Sequence, residues 1–318
     1  MAMKRRDFLK AGMLGAAGFA FSGLTFMAPR RTEAAELNIT LVAEAGFKTM
    51  IDGKEIYVWQ FNDPEASGPG GLTSGMLLQE GDKVNVTVAN KLYLPINFVI
   101  PGVLDDTEAV ILPEGSYTYS FTAPAAGSYM YFDDFNGEIS RAMGLSGPLV
   151  IMPADGSNSL YSDGPAFSRQ YTLVLNELDD RLNEAVYNGE PYNMADYEPN
   201  YFFVNGLSYP ETAKDDDTLV AMSVGEDVAI RFINTGLIVS PQHFHGYHVN
   251  VASHNRVPET TVIEKDTVVV DVGECVDVIL PVAQPGVYPL HTHFVPGVTA
   301  NGTYLNPYGG ALIVMSAE

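Results

Sequence analysis

Histidine is scarce and unevenly placed in this 318-residue chain. The chain has six histidines, and none of them lies in the first 242 residues. Five of the six lie in two short segments, SPQHFHGYH at 240–248 and HTHF at 291–294. Because imidazole nitrogen is a frequent metal ligand, such a concentration in a histidine-poor chain predicts a site.

Cysteine and basic residues are also scarce. A single cysteine, Cys275, excludes an intramolecular disulfide, so packed cores have to supply the stability. A hydrophobic content of 46% is enough to build two domains. Lysine and arginine number 17 against 39 aspartates and glutamates, and such an acidic surface repels nucleic acid and anionic lipid.

Long apolar runs are absent beyond the N-terminus. The segment KRRDFLK at 4–10 precedes an apolar stretch at 11–28, and small residues follow at Ala34 and Ala35. This pattern predicts a twin-arginine export signal over residues 1–35, with an uncleaved anchor as the alternative. After cleavage near Ala35 the chain would have 11 basic and 37 acidic residues, a net charge of −26, and no membrane span. We expect a periplasmic or extracellular protein.

Short strand signals dominate the rest of the chain and predict an all-β fold of antiparallel Greek-key sandwiches. Two regions of similar length each close on a glycine-led apolar strand, SGPLVIM and GGALIVM. The polar, turn-rich stretch at 154–169 separates them. We therefore expect an N-terminal domain at 36–153, a linker at 154–169 and a C-terminal domain at 170–318.

Several motifs occur in the order that the multicopper oxidase family uses, and the chain resembles the small two-domain, laccase-like members of that family. The motifs are QEGDKVNVTVANKL, GSYMYF, SGPLVIM, YFFVNGLSYPE, GECVDVIL and GVYPLHTHF. The resemblance covers about residues 37–318 and implies two cupredoxin-like β-sandwich domains. It also implies copper, and a homotrimer with metal clusters between the first domain of one subunit and the last domain of the next.

The resemblance carries only part of the family's copper ligands. Ser240 and Gly297 stand where the family places two histidines of its type 1 blue copper, Thr292 stands where it places the cysteine, and no methionine lies nearby. The first domain, in PINFVIPGV and SYMYFDDFN, has none of the histidines expected for a three-copper cluster. Oxygen reduction to water in the manner of a laccase is therefore not expected. Cys275 lies in another strand and is expected to be an inert thiol.

Two complete H-x-H pairs remain, His243 with His245 and His291 with His293. Alternate residues of a strand point to one face, and the resemblance makes these two strands neighbours. We expect the four imidazoles to bind one metal ion, copper in the first place, with zinc as the alternative. Relic histidines in an empty site are the competing interpretation.

Other residues near these motifs stay open as contributors. His248 lies an odd number of residues after His245, and His254 is expected in a surface loop. Asp133 and Asp134 stand where the first domain would have carried its second histidine pair. Across a trimer interface, either carboxylate of a neighbouring subunit would complete the site, whereas solvated surface acids are the plainer interpretation of each.

Three functions are compatible with these features. The first is a mononuclear copper protein with a divergent oxidoreductase activity, which without type 1 copper would need direct substrate access or an external redox partner. The second is an exported copper or zinc buffer, distinguished by binding without turnover. The third is a metal-free structural or interaction scaffold, which would keep its activity without these histidines.

Overall fold

The computed structural model describes residues 20–21, 33–64, 75–105 and 109–318. The predicted all-β class is confirmed, because strands dominate these residues. The strands are β1 (Ala20–Phe21), β2 (Glu36–Thr49), β3 (Glu55–Asn62), β4 (Gly75–Gln79), β5 (Lys83–Asn90), β6 (Ser116–Thr122), β7 (Gly127–Phe132), β8 (Ser146–Met152), β9 (Arg169–Leu178), β10 (Tyr201–Val204), β11 (Val220–Met222), β12 (Asp227–Asn234), β13 (Ser240–Phe244), β14 (Val249–His254), β15 (Val257–Lys265), β16 (Thr267–Val270), β17 (Cys275–Pro281), β18 (Gly286–Thr292), β19 (Thr299–Ala300), β20 (Thr303–Tyr304) and β21 (Leu312–Ala317). The described helices are α1 (Glu138–Met143) and α2 (Asp180–Asn188), with 3-10 turns at Met194–Asp196 and Val295–Val298.

The first half forms a sandwich of two four-stranded sheets, ordered β3-β2-β5-β6 and β1-β4-β8-β7. Alternation in the sequence explains the packing: Leu37, Ile39 and Leu41 of β2 point inward while the residues between them face outward. Together with Val86 of β5 and Leu149 of β8, they belong to one core shared by both sheets.

The second half forms a larger sandwich. Its sheets are ordered β15-β14-β17-β12-β9-β10-β19-β20 and β11-β21-β18-β13-β16. Leu173 and Phe232 from the eight-stranded sheet share a core with Phe244, Leu290 and Ile313 from the five-stranded sheet. The five-stranded sheet is the one that carries the histidine segments.

The sandwiches are mostly antiparallel, as predicted, but four pairs of the described strands are parallel. Strands β2 and β5, β4 and β8, β9 and β12, and β11 and β21 pair in parallel. Between the two strands of each parallel pair, the chain crosses to the facing sheet and back. Parallel neighbours need such a long crossover connection, and here strands of the facing sheet form part of it.

A buried ion pair in the second half also contacts the first half. The guanidinium of Arg231 in β12 lies 3.5 Å from the carboxylate of Asp277 in β17, and both side chains are fully buried. Ser128 of β7, in the first half, donates a hydrogen bond to Asp277. The predicted linker also packs between the halves, where Leu160 and Phe167 join a small apolar cluster.

The predicted export signal at 1–35 lies outside the described residues except for 20–21 and 33–35. Ala20–Phe21 pairs with β4, and the backbone N–H of Ala35 donates to the carboxylate of Asp82 at 2.8 Å. Across the residues that are described, no helix is both long and apolar enough to cross a membrane.

Candidate metal centre

The two H-x-H pairs lie on neighbouring antiparallel strands. Strands β13 and β18 pair so that His243 stands directly opposite His291. His245 and His293 each follow the end of their strand, and the backbone N–H of His293 donates to the carbonyl of Pro241 at 2.7 Å. The ring centroid of His243 lies 4.6 Å from that of His245, 5.9 Å from that of His291 and 4.5 Å from that of His293. All four predicted ligands therefore form one group.

Backbone contacts set the tautomers of two rings. The Nδ1 atom of His291 lies 3.1 Å from the carbonyl oxygen of Thr292, and Nδ1 of His243 lies 3.2 Å from the carbonyl oxygen of Asp266 and 3.0 Å from the hydroxyl of Thr267. Because a carbonyl oxygen only accepts, both Nδ1 atoms carry the proton. The Nε2 atoms of both rings then carry the lone pair, the arrangement typical of metal-binding histidines.

The remaining contact in the group joins His245 to His291, with 3.0 Å between their Nε2 atoms. Two nitrogens bound to one ion at about 2.0–2.1 Å are separated by roughly 2.9–3.4 Å, so this spacing already matches that of two adjacent ligands. In the metal-free protein His245 donates and His291 accepts. A metal ion at this position would replace the shared proton.

The four imidazoles pack closely but do not form a complete coordination sphere. In the described part of the chain, no three His, Cys, Asp or Glu side chains are already arranged to hold a metal ion. Burial lowers the pKa of His245 and His291, and the neighbouring imidazoles lower both further, while the Thr292 contact opposes this for His291. The lowered pKa favours neutral imidazole, which is the form that binds metals.

The two candidate carboxylates have different environments. Asp133 is fully buried and accepts hydrogen bonds from the backbone of Asn97 and from the side chains of Asn136 and Ser140. Asp134 is exposed and accepts from the side chain of Asn97. The hydrogen bonds of Asp133 are thus all within its own domain, and Asp134 is the one of the two that is exposed on the surface.

The other singled-out residues lie apart from the group. His248 is exposed after β13. His254 was expected in a loop but ends β14, where its Nδ1 lies 2.8 Å from the carboxylate of Glu274. Cys275 is buried in β17, and burial raises the pKa of its thiol far above the usual range, as expected for an inert cysteine.

A small cavity lies behind the histidine-bearing strands. Its volume is about 20 Å³, which is room for one water molecule. Ser240, Thr292 and Gly297 line it, together with Glu177 and Asn176. Because Thr292 lies between His291 and His293, its side chain faces the opposite side of the strand from the two rings.

Both halves of the chain match protein-family models described as multicopper oxidase, over residues 52–156 and 186–305. The chain belongs to the multicopper oxidase family. It is a small two-domain member, and membership implies copper as the family's metal.

Individual relatives agree with this family. The chain is 26% identical over 272 residues to putative laccase-5 of Oryza sativa subsp. japonica, covering 75% of this chain and 46% of that protein. It therefore spans under half the length of the curated relatives it matches. Among solved structures it is similar to the multicopper oxidase mgLAC, with 25% identity, 90% and 87% of the two chains covered and a TM-score of 0.74. A blue copper oxidase from Nitrosomonas europaea, at 24% identity with 90% and 86% covered and a TM-score of 0.75, shares the fold.

Ser240, Thr292 and Gly297, which line this cavity, are the three positions at which the resemblance to multicopper oxidases placed ligands of type 1 copper. Ser240 and Thr292 supply hydroxyls there in place of imidazole and thiolate. A side chain at Gly297 would meet Thr292, because an added Cβ would lie 2.4 Å from its methyl group. These residues do not fit the soft ligand set of a blue copper ion.

Glu177, which also lines this cavity, was not identified from the sequence. It interrupts the inward-facing series Leu173, Leu175, Glu177 of β9, so an acid at a core position was the available signal. Its carboxylate accepts from the backbone N–H of Leu237 at 2.5 Å and from the hydroxyl of Tyr197 at 3.4 Å. Burial raises the pKa of Glu177 to about 7.

We expect Glu177→Gln to remove a pH dependence of stability. Because the folded pKa of Glu177, about 7, exceeds the value of 4.5 for an unperturbed glutamate, its contribution is greatest below pH 4.5 and is lost as pH rises through 7. The unfolding free energy of the variant relative to the parent should therefore rise by about 3 kcal/mol between those limits. Urea unfolding from pH 4.5 to 8.5 measures this, and parallel curves for the two proteins would contradict it.

Proposed function

We propose that this multicopper oxidase relative binds a single copper ion through His243, His245, His291 and His293. The observation that carries the proposal is the group of four imidazoles on one sheet face, two of them held by backbone carbonyls so that the lone pair lies on Nε2. Nitrogen ligands of this kind suit copper, and zinc is the alternative ion. We further propose that no type 1 copper accompanies it.

The direct test of binding is a competition titration of the purified chain with Cu(II) against a chelator of known affinity. We expect saturation at one copper per chain, and a parallel titration with Zn(II) decides between the two ions. Binding too weak to compete with the chelator for either ion would contradict the proposal.

The proposal includes a divergent oxidoreductase activity at this ion. His245 and His293 are exposed, so a small substrate or an external redox protein has direct access to the site. Copper bound there would supply a redox-active centre with an open position. Oxygen uptake by the copper-loaded protein with a reducing substrate tests turnover, whereas tight binding without uptake would indicate a metal buffer.

We also propose that the chain is exported and assembles as a homotrimer, with the copper site at the interface. Export is supported by the twin-arginine pattern at 4–10. Assembly is supported by exposed apolar side chains around the histidines, of which Val269 is 46% exposed, Val287 70% and Val295 75%. Phe135, beside Asp134 at the far domain, is exposed as well. A head-to-tail ring of three copies would bring these two surfaces together.

Within that trimer, Asp134 of one subunit would cover the histidines of the next. We expect Asp134→Ala to lower copper affinity about tenfold, the effect typical of losing a group that orients metal ligands. Asp155→Ala is the matched control, because Asp155 is an exposed carboxylate in the segment between the domains. Copper competition and sedimentation velocity measure affinity and assembly, and equal affinities for Asp134→Ala and the parent would rule out this role.

A further inference from the structure

One turn, residues 235–238, leads directly into the strand that carries His243. Its carbonyl groups point to the first half of the chain, where Arg141 of α1 donates to the carbonyl of Gly236 at 2.7 Å and to that of Thr235 at 3.3 Å. Its N–H groups point inward, where Leu237 donates to the carboxylate of Glu177. The carbonyl side of this turn thus binds the guanidinium of Arg141, and its N–H side binds the carboxylate of Glu177.

The fit of this turn around Glu177 is close. A Cβ added at Gly236 would lie 2.1 Å from the carboxylate of Glu177, so only glycine allows the approach. Asn234 fixes the turn from its other side, because its side chain donates to the carbonyl of Ile238 at 2.8 Å and accepts from the N–H of Gly236 at 3.1 Å. A change in the Glu177 contact would therefore act directly on the backbone of this turn.

Glu177 also borders the reverse face of both histidine-bearing strands. Ser240, which begins β13 three residues before His243, lines the same cavity as Glu177. Thr292, between the two histidines of β18, lines it from the other strand. The cavity has room for one water molecule.

We propose that Glu177 is a positioning residue for the copper centre, whose proton controls the turn at 235–238 and through it the strand that carries His243 and His245. The charged carboxylate binds the N–H groups of the turn and attracts Arg141. When it gains a proton it becomes a donor, and its grip on the turn weakens. This inference rests on the proposed copper binding.

Few other titratable groups act on Glu177. Arg141 favours its charged form, and Glu138 faces Arg141 in turn. Tyr197 donates to its carboxylate, and burial holds the pKa of Tyr197 well above the usual range, so that hydroxyl stays protonated. Among these groups around the turn, Glu177 is therefore the one whose charge changes near neutral pH.

The test compares Cu(II) affinity of the full chain and its Glu177→Gln variant across pH, because glutamine imitates the protonated carboxyl. Protonation of the histidines affects both proteins alike and cancels in the ratio of their affinities. We expect equal affinities at pH 6 and about tenfold weaker binding by the variant at pH 8, with the transition near pH 7. Glu138→Gln is the control and should give no such transition.

A second measurement separates the inference from the proposed function. In the metal-free protein, the amide resonances of Leu237 and Ile238 should titrate with a midpoint near 7, and Glu177→Gln should abolish the transition. A flat affinity ratio, or amide resonances that titrate equally in the variant, would overturn the inference. If the parent protein bound no copper, the proposed function would be wrong, and so would the effect of Glu177 on copper affinity. The amide titration would still show whether Glu177 holds the turn.

Discussion

Replacing His243 and His291 together with alanine is expected to lower copper affinity by at least about a hundredfold. The two residues face each other across β13 and β18, and the Nδ1 atom of each contacts a backbone carbonyl, which leaves the lone pair on Nε2. Loss of groups that merely orient metal ligands already costs 10- to 100-fold, so loss of two ligands costs more. Competition titration with Cu(II) measures the change.

His248→Ala is the matched control for this experiment. His248 is a histidine of the same segment, exposed and outside the ring contacts of the group. Its removal should leave copper affinity unchanged, and circular dichroism should show both variants folded. If the double variant bound copper as tightly as the parent, the proposed centre would be wrong and a scaffold function would be favoured.

Breaking the buried pair between Arg231 and Asp277 is expected to produce the largest loss of stability. Asp277→Leu leaves a fully buried guanidinium without its carboxylate, and the hydroxyls of Ser128 and Ser253 lose their acceptor. Removing one partner of a buried ion pair typically costs 3–5 kcal/mol, and we expect a loss of about that size. Urea unfolding followed by fluorescence and circular dichroism measures it.

Two further variants make this prediction specific. Adding Arg231→Met to Asp277→Leu should recover much of the loss, because an apolar pair of similar volume leaves no buried charge. Glu114→Gln breaks the exposed pair with Lys91 and should cost less than about 1 kcal/mol. A double variant less stable than Asp277→Leu alone would show that the ion pair is not the source of the loss.

The histidine arrangement was predictable because it depends on local rules. An H-x-H segment in a strand places both rings on one face, and resemblance to the family placed the two strands side by side. The register that sets His243 opposite His291, and the carbonyl contacts of their Nδ1 atoms, depend on pairing between distant segments. No local pattern in the sequence encodes those contacts.

The difference between Asp133 and Asp134 could not be predicted from the sequence either. The two acids directly follow β7, and their order in the sequence does not show which of them is buried. Which one is buried depends on Asn97, Asn136 and Ser140, whose donors surround Asp133. Long-range polar contacts of this kind cannot be deduced from a single acidic pair.

Buried charges were the largest omission. Glu177 and Arg231 each lie at a buried position of a strand that is mostly apolar, and the pattern alone marks them as exceptions. Their partners come from other elements: Arg141 from α1, Asp277 from β17 and the N–H groups of the turn before β13. The signal was present in the sequence, whereas its meaning required the fold.

The central claim is one copper ion per chain on four imidazoles. The most direct test is metal content by mass spectrometry of protein purified from its own host, with an electron paramagnetic resonance spectrum of the same sample. We predict about one copper per chain, a spectrum typical of nitrogen ligation and no blue absorption. Metal content near zero that persists after copper and zinc are supplied, or an intense blue band, would contradict the account.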